Sequence, residues 1–335
     1  MLFICLFCNI LWIISKRVDD PERIQVKGWH TMLRLSRVII LVYLCLAVIT
    51  PVLEIEAQTK ATKEETILTI GLIPERNIFK QLERYEPLAA YLSKKIGINI
   101  KLKVLTRYGN IIDNFVSHNL DAAFFGSFTY ALAHAKLGVE PIARPVNPDG
   151  SSTYYGLIFI RKDSGIKSIK DMQGKRFAFV DRATTAGYLL PLAFFKKNGI
   201  EDYKTFFKET YFAGTHKDAI YDVLNKKADI GAAKNTMFYR LAAKDKRLLN
   251  DLDFLARSPD VPENGLAVRK EIDNAIKLKL KQALINMHTD PEGIKILKKF
   301  GARKFIETSD DDYSSVYEYV REIGLNLSTY HYINK

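Results

Sequence analysis

The residues best suited to chemistry lie in one run, Arg176-Phe177-Ala178-Phe179-Val180-Asp181-Arg182-Ala183-Thr184-Thr185-Ala186-Gly187-Tyr188-Leu189-Leu190-Pro191. A strand is expected to end near Val180 and a helix to begin near Thr184 or Thr185. The first turn of a helix has unpaired N–H groups and the positive end of the helix dipole. Two consecutive threonine hydroxyls there would complete a neutral cradle for an oxyanion. Taken alone, the run reads more simply, with Thr184 as an ordinary N-cap. His216, in Gly214-Thr215-His216-Lys217-Asp218, again precedes a helix and can donate to an anion. Tyr108 and Tyr154 can offer phenol hydroxyls to the same ligand. Each of these three, by itself, reads as a cap, surface or packing residue.

Catalytic patterns do not emerge. Gly126-Ser127-Phe128 is not a G-x-S-x-G elbow, and the chain has no H-E-x-x-H, P-loop or G-x-G-x-x-G. His134 and His288 stand apart from metal partners, and Asp310-Asp311-Asp312 reads as a solvated helix start. No catalytic residue, metal or cofactor is expected.

The net charge of the 335-residue chain is +12, with basic and acidic residues interspersed and no long basic run. That favours a general anion-attracting field over a nucleic-acid groove. The cysteines, Cys5, Cys8 and Cys45, all fall in the first 57 residues. The remainder therefore has no disulfide, thiolate metal site or cysteine nucleophile, which suits an exported protein. Residues 1–57 read as a signal or membrane segment. Arg34 and Arg37, the apolar run Val38–Ile49 and Glu54-Ile55-Glu56-Ala57 supply the parts of a secretory signal, with cleavage after Ala57. Met32 is the expected start, and a retained anchor is the alternative.

From Thr66 onward strand-like and helix-like segments alternate, so an α/β fold with largely parallel strands is expected. Leu82, Tyr85, Leu88, Ala89, Leu92 and Ile96 recur at helical spacing up to Gly97. Two connections look like crossovers between lobes, Asp149-Gly150-Ser151-Ser152-Thr153 and Ser258-Pro259-Asp260-Val261-Pro262-Glu263-Asn264-Gly265. They divide the chain into lobe one, residues 66–153 plus 264–335, and lobe two, residues 154–263. Ligands often sit between such lobes.

Over about residues 66–325 the chain resembles the phosphate/phosphite/phosphonate-type periplasmic substrate-binding proteins of ABC transporters. The resemblance rests on an ordered set. It comprises Arg107-Tyr108-Gly109-Asn110-Ile111-Ile112, Asp121-Ala122-Ala123-Phe124-Phe125-Gly126, Tyr154-Tyr155-Gly156-Leu157, Asp181–Tyr188, Gly214-Thr215-His216, Asp229-Ile230-Gly231-Ala232 and Ser258-Pro259-Asp260-Val261-Pro262. It implies a two-lobed periplasmic-binding-protein (type II) architecture with a ligand cleft between the lobes.

By the same resemblance the family's Ser-Thr-Ser hydroxyl triplet matches Thr184, Thr185 and Ala186, its histidine His216, and its site tyrosines Tyr108 and Tyr154. The third hydroxyl is missing, though the Ala186 N–H remains. Relatives that bind aminophosphonates hold the ligand ammonium with carboxylates; Met237 and Asn264 stand at those positions here. Glu263, next to Asn264, would compensate if the match slips by one. A ligand without an amine is therefore expected: phosphate, phosphite or a small phosphonate. The expected partners are that ligand and the permease and ATPase subunits of a transporter, with no nucleic acid and a monomeric chain. The expected location is periplasmic or extracytoplasmic, and no enzyme activity is expected. A sensor domain, a binder of another oxyanion such as a sulfonate, and a transferase of the same architecture are the alternatives.

Overall fold

In the computed structural model, which describes residues 66–75, 78–117 and 119–334, two mixed sheets organise the chain. The signal segment, the three cysteines, Met32 and the cleavage after Ala57 lie outside the described residues. Strand β1 (Ile67–Leu72) turns Leu68, Ile70 and Leu72 inward and pairs in parallel with β2 (Asn99–Val104) and β3 (Ala122–Phe125). Helix α1 (Ile78–Ile96) covers them with Tyr85, Leu88, Ala89, Leu92 and Ile96, the stripe its spacing predicts, and stops at Gly97 with φ +72°. Helix α2 (Asn110–Val116) precedes β3, and α3 (Ser127–Leu137) follows it directly. The sheet is completed by antiparallel strands β4 (Glu140–Val146), β12 (Gly265–Val268) and β13 (Lys304–Glu307), in the order β13-β4-β12-β3-β1-β2.

The second sheet has the order β10-β6-β9-β7-β8. Strands β7 (Arg176–Phe179), β8 (Glu209–Phe212) and β9 (Ile230–Lys234) run parallel; β6 (Gly156–Arg161) and β10 (Leu252–Arg257) are added antiparallel. Each sheet thus has a parallel half and an antiparallel half, not the largely parallel order that alternation of elements implies. Strands β6 and β12 enter from the other sheet and run against their neighbours, whereas β4, β10 and β13 each follow a helix and pair antiparallel with β12, β6 and β4. Between the sheets, the two-residue strands β5 (Thr153–Tyr154) and β11 (Val261–Pro262) pair antiparallel within the two connections singled out above.

Strand β4 escapes the sequence pattern because Pro141 and Pro145 interrupt it, and proline is rare inside a sheet. It is accommodated by a register shift where β4 meets Leu266 and Ala267 of β12. Separate apolar cores lie within each sheet's layers, and a third runs from Phe125 and Phe128 to Phe159 and Leu189, joining the two.

Candidate functional site

The chain leaves β7 at Phe179 and makes a tight turn. The Asp181 carbonyl accepts from the Thr184 N–H (2.9 Å) and the Thr184 hydroxyl (2.6 Å), and the Asp181 carboxylate accepts from the Ala183 N–H (2.9 Å). Residues Thr185–Leu189 then form a wide, π-type turn that continues into helix α4 (Leu190–Lys197). Gly187 crosses so close to Val180 that an added Cβ would stand 2.4 Å from its side chain; only glycine permits this return. The turn presents Thr185, buried, toward the amino end of α3.

Two helix starts therefore face each other. The Phe128 N–H of α3 donates to Thr185 Oγ1 (2.8 Å), and Thr129 Oγ1 donates to the Ala183 carbonyl (2.7 Å). Ser127 Oγ bridges the Pro262 carbonyl (2.6 Å) and the Tyr154 hydroxyl (3.2 Å), and Thr185 also reaches Tyr154. Between these elements lies a small cavity lined by Tyr108, Gly126, Thr129, Tyr154, Thr184, Thr185, His216, Lys234, Asn264, Glu75 and Ile73. Residues from both sheets' layers line it, separated by almost two hundred positions.

The expected site residues divide as follows. Tyr108, Tyr154, Thr184, Thr185, His216 and Asn264 all line this cavity. Thr184 does so with its hydroxyl proton already given to the Asp181 carbonyl, so it holds the N-cap position without a side-chain cap bond and is not a free donor. Ala186 is not among the lining side chains. It packs against Gly156, where an added Cβ would lie 3.4 Å from Ala186 Cβ, and it borders an apolar groove with Leu190 and Pro191.

The hydroxyl of Tyr108 is buried and has no hydrogen-bond partner among the described residues. Burial, then the negative charges of Glu75 and Asp181, push its pKa well above the ordinary phenol value, so it remains a donor. Its ring meets His216 edge-on at 6.0 Å. His216 opens helix α5 (His216–Leu224), capped by Thr215, and its Nδ1 accepts from the Lys234 backbone N–H (3.3 Å). Burial, then the Lys234 charge, lowers its pKa to about 4. The imidazole is thus neutral at physiological pH; with Nδ1 accepting, the proton resides on Nε2, which becomes a donor.

The other end of the cavity carries full charges, of which the sequence singled out Glu263 alone. Lys234, the last residue of β9, is 5% exposed. Its ammonium is hydrogen-bonded to Glu263 and to Asn264 Oδ1 (3.2 Å), lies 3.8 Å from Glu75 Oε1, and sits 4.1 Å from the centre of the Tyr154 ring. Asn264 Nδ2 donates in turn to Glu75 Oε1 (2.6 Å), and Arg84 lies 3.6 Å from Glu75 Oε2. Burial opposes the Lys234 charge, but Glu263 and Glu75 outweigh it and hold its pKa above the ordinary lysine value. Met237 and Asn264 bring no carboxylate, but Glu263 and Glu75 lie nearby, and a lysine of the chain already engages both. Met237 is buried beside this cluster in an adjoining recess with Arg84 and Arg240.

A family model described as ABC transporter, phosphonate, periplasmic substrate-binding protein matches residues 70–313. The phosphonates-binding periplasmic protein of Escherichia coli (strain K12) is 26% identical over 255 residues, 75% of each chain. A binding-protein component of an ABC phosphonate transporter from Pseudomonas aeruginosa superposes with a TM-score of 0.70 at 24% identity, over 76% of this chain and 86% of that one. A Prochlorococcus marinus protein solved with methylphosphonate gives a TM-score of 0.68 at 22% identity, over 78% of this chain and 99% of that one. These structural likenesses identify the fold as the two-lobed periplasmic-binding-protein type.

Proposed function

Because the chain belongs to the family of periplasmic phosphonate-binding proteins of ABC transporters, we propose that its cavity captures a compact phosphorus oxyanion: phosphate, phosphite or a small phosphonate without an amine. The chain is the substrate-binding component of an ABC phosphonate or phosphate transporter and not an enzyme. The observation that carries the ligand reading is the buried Tyr108 hydroxyl, which has no partner among the described residues and lines a cavity beside the neutral donors Thr185 and His216. An unpaired buried polar group costs free energy unless something satisfies it. An oxyanion would accept from Tyr108, from Thr185, from His216 Nε2 and from the N–H groups of the two helix starts. Donors that carry no charge hold such an ion without an opposing counter-ion to desolvate.

Ligand contacts on both lobes favour the closed arrangement, in which Phe128 meets Thr185 and Thr129 meets Ala183. The closed, loaded protein then docks on permease subunits, whose ATPase partners drive uptake; the family supports this partnership, together with an extracytoplasmic location reached by the N-terminal signal. Lobe one spans residues 66–153 and 264–335 and lobe two residues 154–263, with β5 and β11 as the hinge.

The test is calorimetry with phosphate, phosphite, methylphosphonate, sulfate and methanesulfonate, alongside small-angle scattering. Tight binding of a phosphorus ligand, with compaction, is expected. Preference for a sulfur oxyanion, or no compaction at saturation, would overturn the reading.

A further inference from the structure

We propose that Lys234 is the specificity residue of this cavity: its ammonium fills an ammonium cage built into the protein, and so restricts the ligand to a compact phosphorus dianion. The inference rests on the functional reading above and extends it to the rejection of a ligand class.

The partners of the Lys234 ammonium are those that would recognise any primary ammonium. Glu263 and Asn264 Oδ1 accept hydrogen bonds from it, Glu75 lies at 3.8 Å and the Tyr154 ring face at 4.1 Å. Carboxylates, an amide oxygen and an aromatic face are the standard set for a desolvated cation. Here the cation is tethered, because β9 ends on Lys234 and delivers the side chain into the cavity wall. An ammonium has three protons. Glu263 and Asn264 take two, Glu75 and the Tyr154 ring lie beside the third, and Lys234 lines the cavity, so its positive charge bears on an oxyanion held there.

The surrounding charge points the same way. Arg84 lies 3.6 Å from Glu75, Asn147 lies 3.4 Å from Glu263, and Arg240 borders the same recess. Among the described residues, Glu75 and Glu263 are the carboxylates set against Lys234, Arg84 and Arg240, a net positive cluster spanning the far end of the cavity and the adjoining recess. A phosphonate carrying its own amine would bring a second ammonium against Lys234, with both carboxylates already engaged. A phosphonate with no such group meets only the attraction of the Lys234 charge. Truncating Lys234 reverses this logic: it empties the cage, leaves Glu75 and Glu263 without their central cation, and opens room for the amine of an aminoalkylphosphonate.

The experiment compares the full chain and its Lys234→Ala variant by calorimetry with methylphosphonate and 2-aminoethylphosphonate, checking the fold by circular dichroism. The unmodified chain should prefer methylphosphonate. Lys234→Ala should lose about tenfold or more for methylphosphonate and gain at least as much for 2-aminoethylphosphonate, reversing the preference. Should unpaired carboxylates prevent Lys234→Ala from folding, Lys234→Met combined with Glu263→Gln keeps the volume filled and removes one charge of each sign. That variant should lose about tenfold for methylphosphonate and gain nothing for the amine. An unchanged preference in the variant that folds, or an unmodified chain that prefers 2-aminoethylphosphonate, would overturn the assignment of Lys234 while leaving the phosphorus site standing. An unmodified chain that binds neither these ligands nor phosphate nor phosphite would overturn the functional reading, and this inference with it.

Discussion

At one end of the cavity Tyr108, Thr185 and His216 present neutral donors; at the other, Lys234, Glu75 and Glu263 bring three full charges together in the same buried space. The neutral end has a hydroxyl left unpaired among the described residues, whereas the charged end is satisfied by its own members. The first arrangement is poised to receive something; the second is held as a wall. Charge in a protein interior is tolerated when paired and hydrogen-bonded, and is expensive when one partner is removed. Changes at the charged end should therefore cost folding stability as well as shift ligand preference, whereas changes at the neutral end should act mainly on affinity.

The largest expected effect follows from the charged end. Glu263→Ala takes the nearest carboxylate from a buried ammonium and should destabilise the chain by about 3–5 kcal/mol. Urea unfolding measures it, and a loss below about 1 kcal/mol would mean that Lys234 is solvated in a way this arrangement does not allow.

His216 gives the next effect, as a pH dependence. Its folded pKa of about 4 lies below the ordinary 6.5, so the unfolded chain takes up the proton first as the pH falls. The stability it contributes is complete above 6.5 and is lost as the pH drops through about 4. The loss should reach up to about 3 kcal/mol. His216→Gln does not titrate, so its stability should fall less than that of the unmodified chain between neutral and mildly acid pH. Parallel curves for the two would contradict a buried, neutral His216.

A smaller pair sharpens the neutral end. Thr185→Ala removes a hydroxyl that faces the cavity and should weaken methylphosphonate binding by about 1.5–3 kcal/mol, ten- to a hundredfold. Ala186→Ser restores the hydroxyl that the triplet lacks, but on a side chain packed against Gly156. It should change affinity by less than about threefold. Calorimetry on both variants separates the two positions; equal losses would mean that the π-type turn is drawn wrongly.

The contrast between the two ends also marks how far the sequence could be read. Local pattern alone reads Tyr108 and His216 as packing, surface or cap residues and the Thr184-Thr185 run as a helix start; the ordered resemblance is what singles them out, and the structure sets them around one cavity. Thr184 shows the limit of that: its type fits a donor, but only coordinates reveal that its proton goes to Asp181. Lys234 carries no such signal, because a lysine closing a strand before Asn235-Thr236 looks like a solvated end. Glu75 sits in a loop distant in sequence, and Glu263 gains meaning only when β11 brings it to β9. Charge pairing across such separations leaves no periodicity to detect. The fold followed a similar division. Helix α1 and the parallel strands obey short-range spacing, whereas β4 owes its place to a tolerated register shift around its prolines.

Tyr108→Phe tests the central claim most directly, with methylphosphonate calorimetry and a thermal melt on the same samples. Removing a buried hydroxyl that lacks a partner should leave the ligand-free protein as stable as before, or more so, and should weaken binding about ten- to a hundredfold. Unchanged affinity, or a clear loss of ligand-free stability, would contradict an oxyanion site built on that hydroxyl.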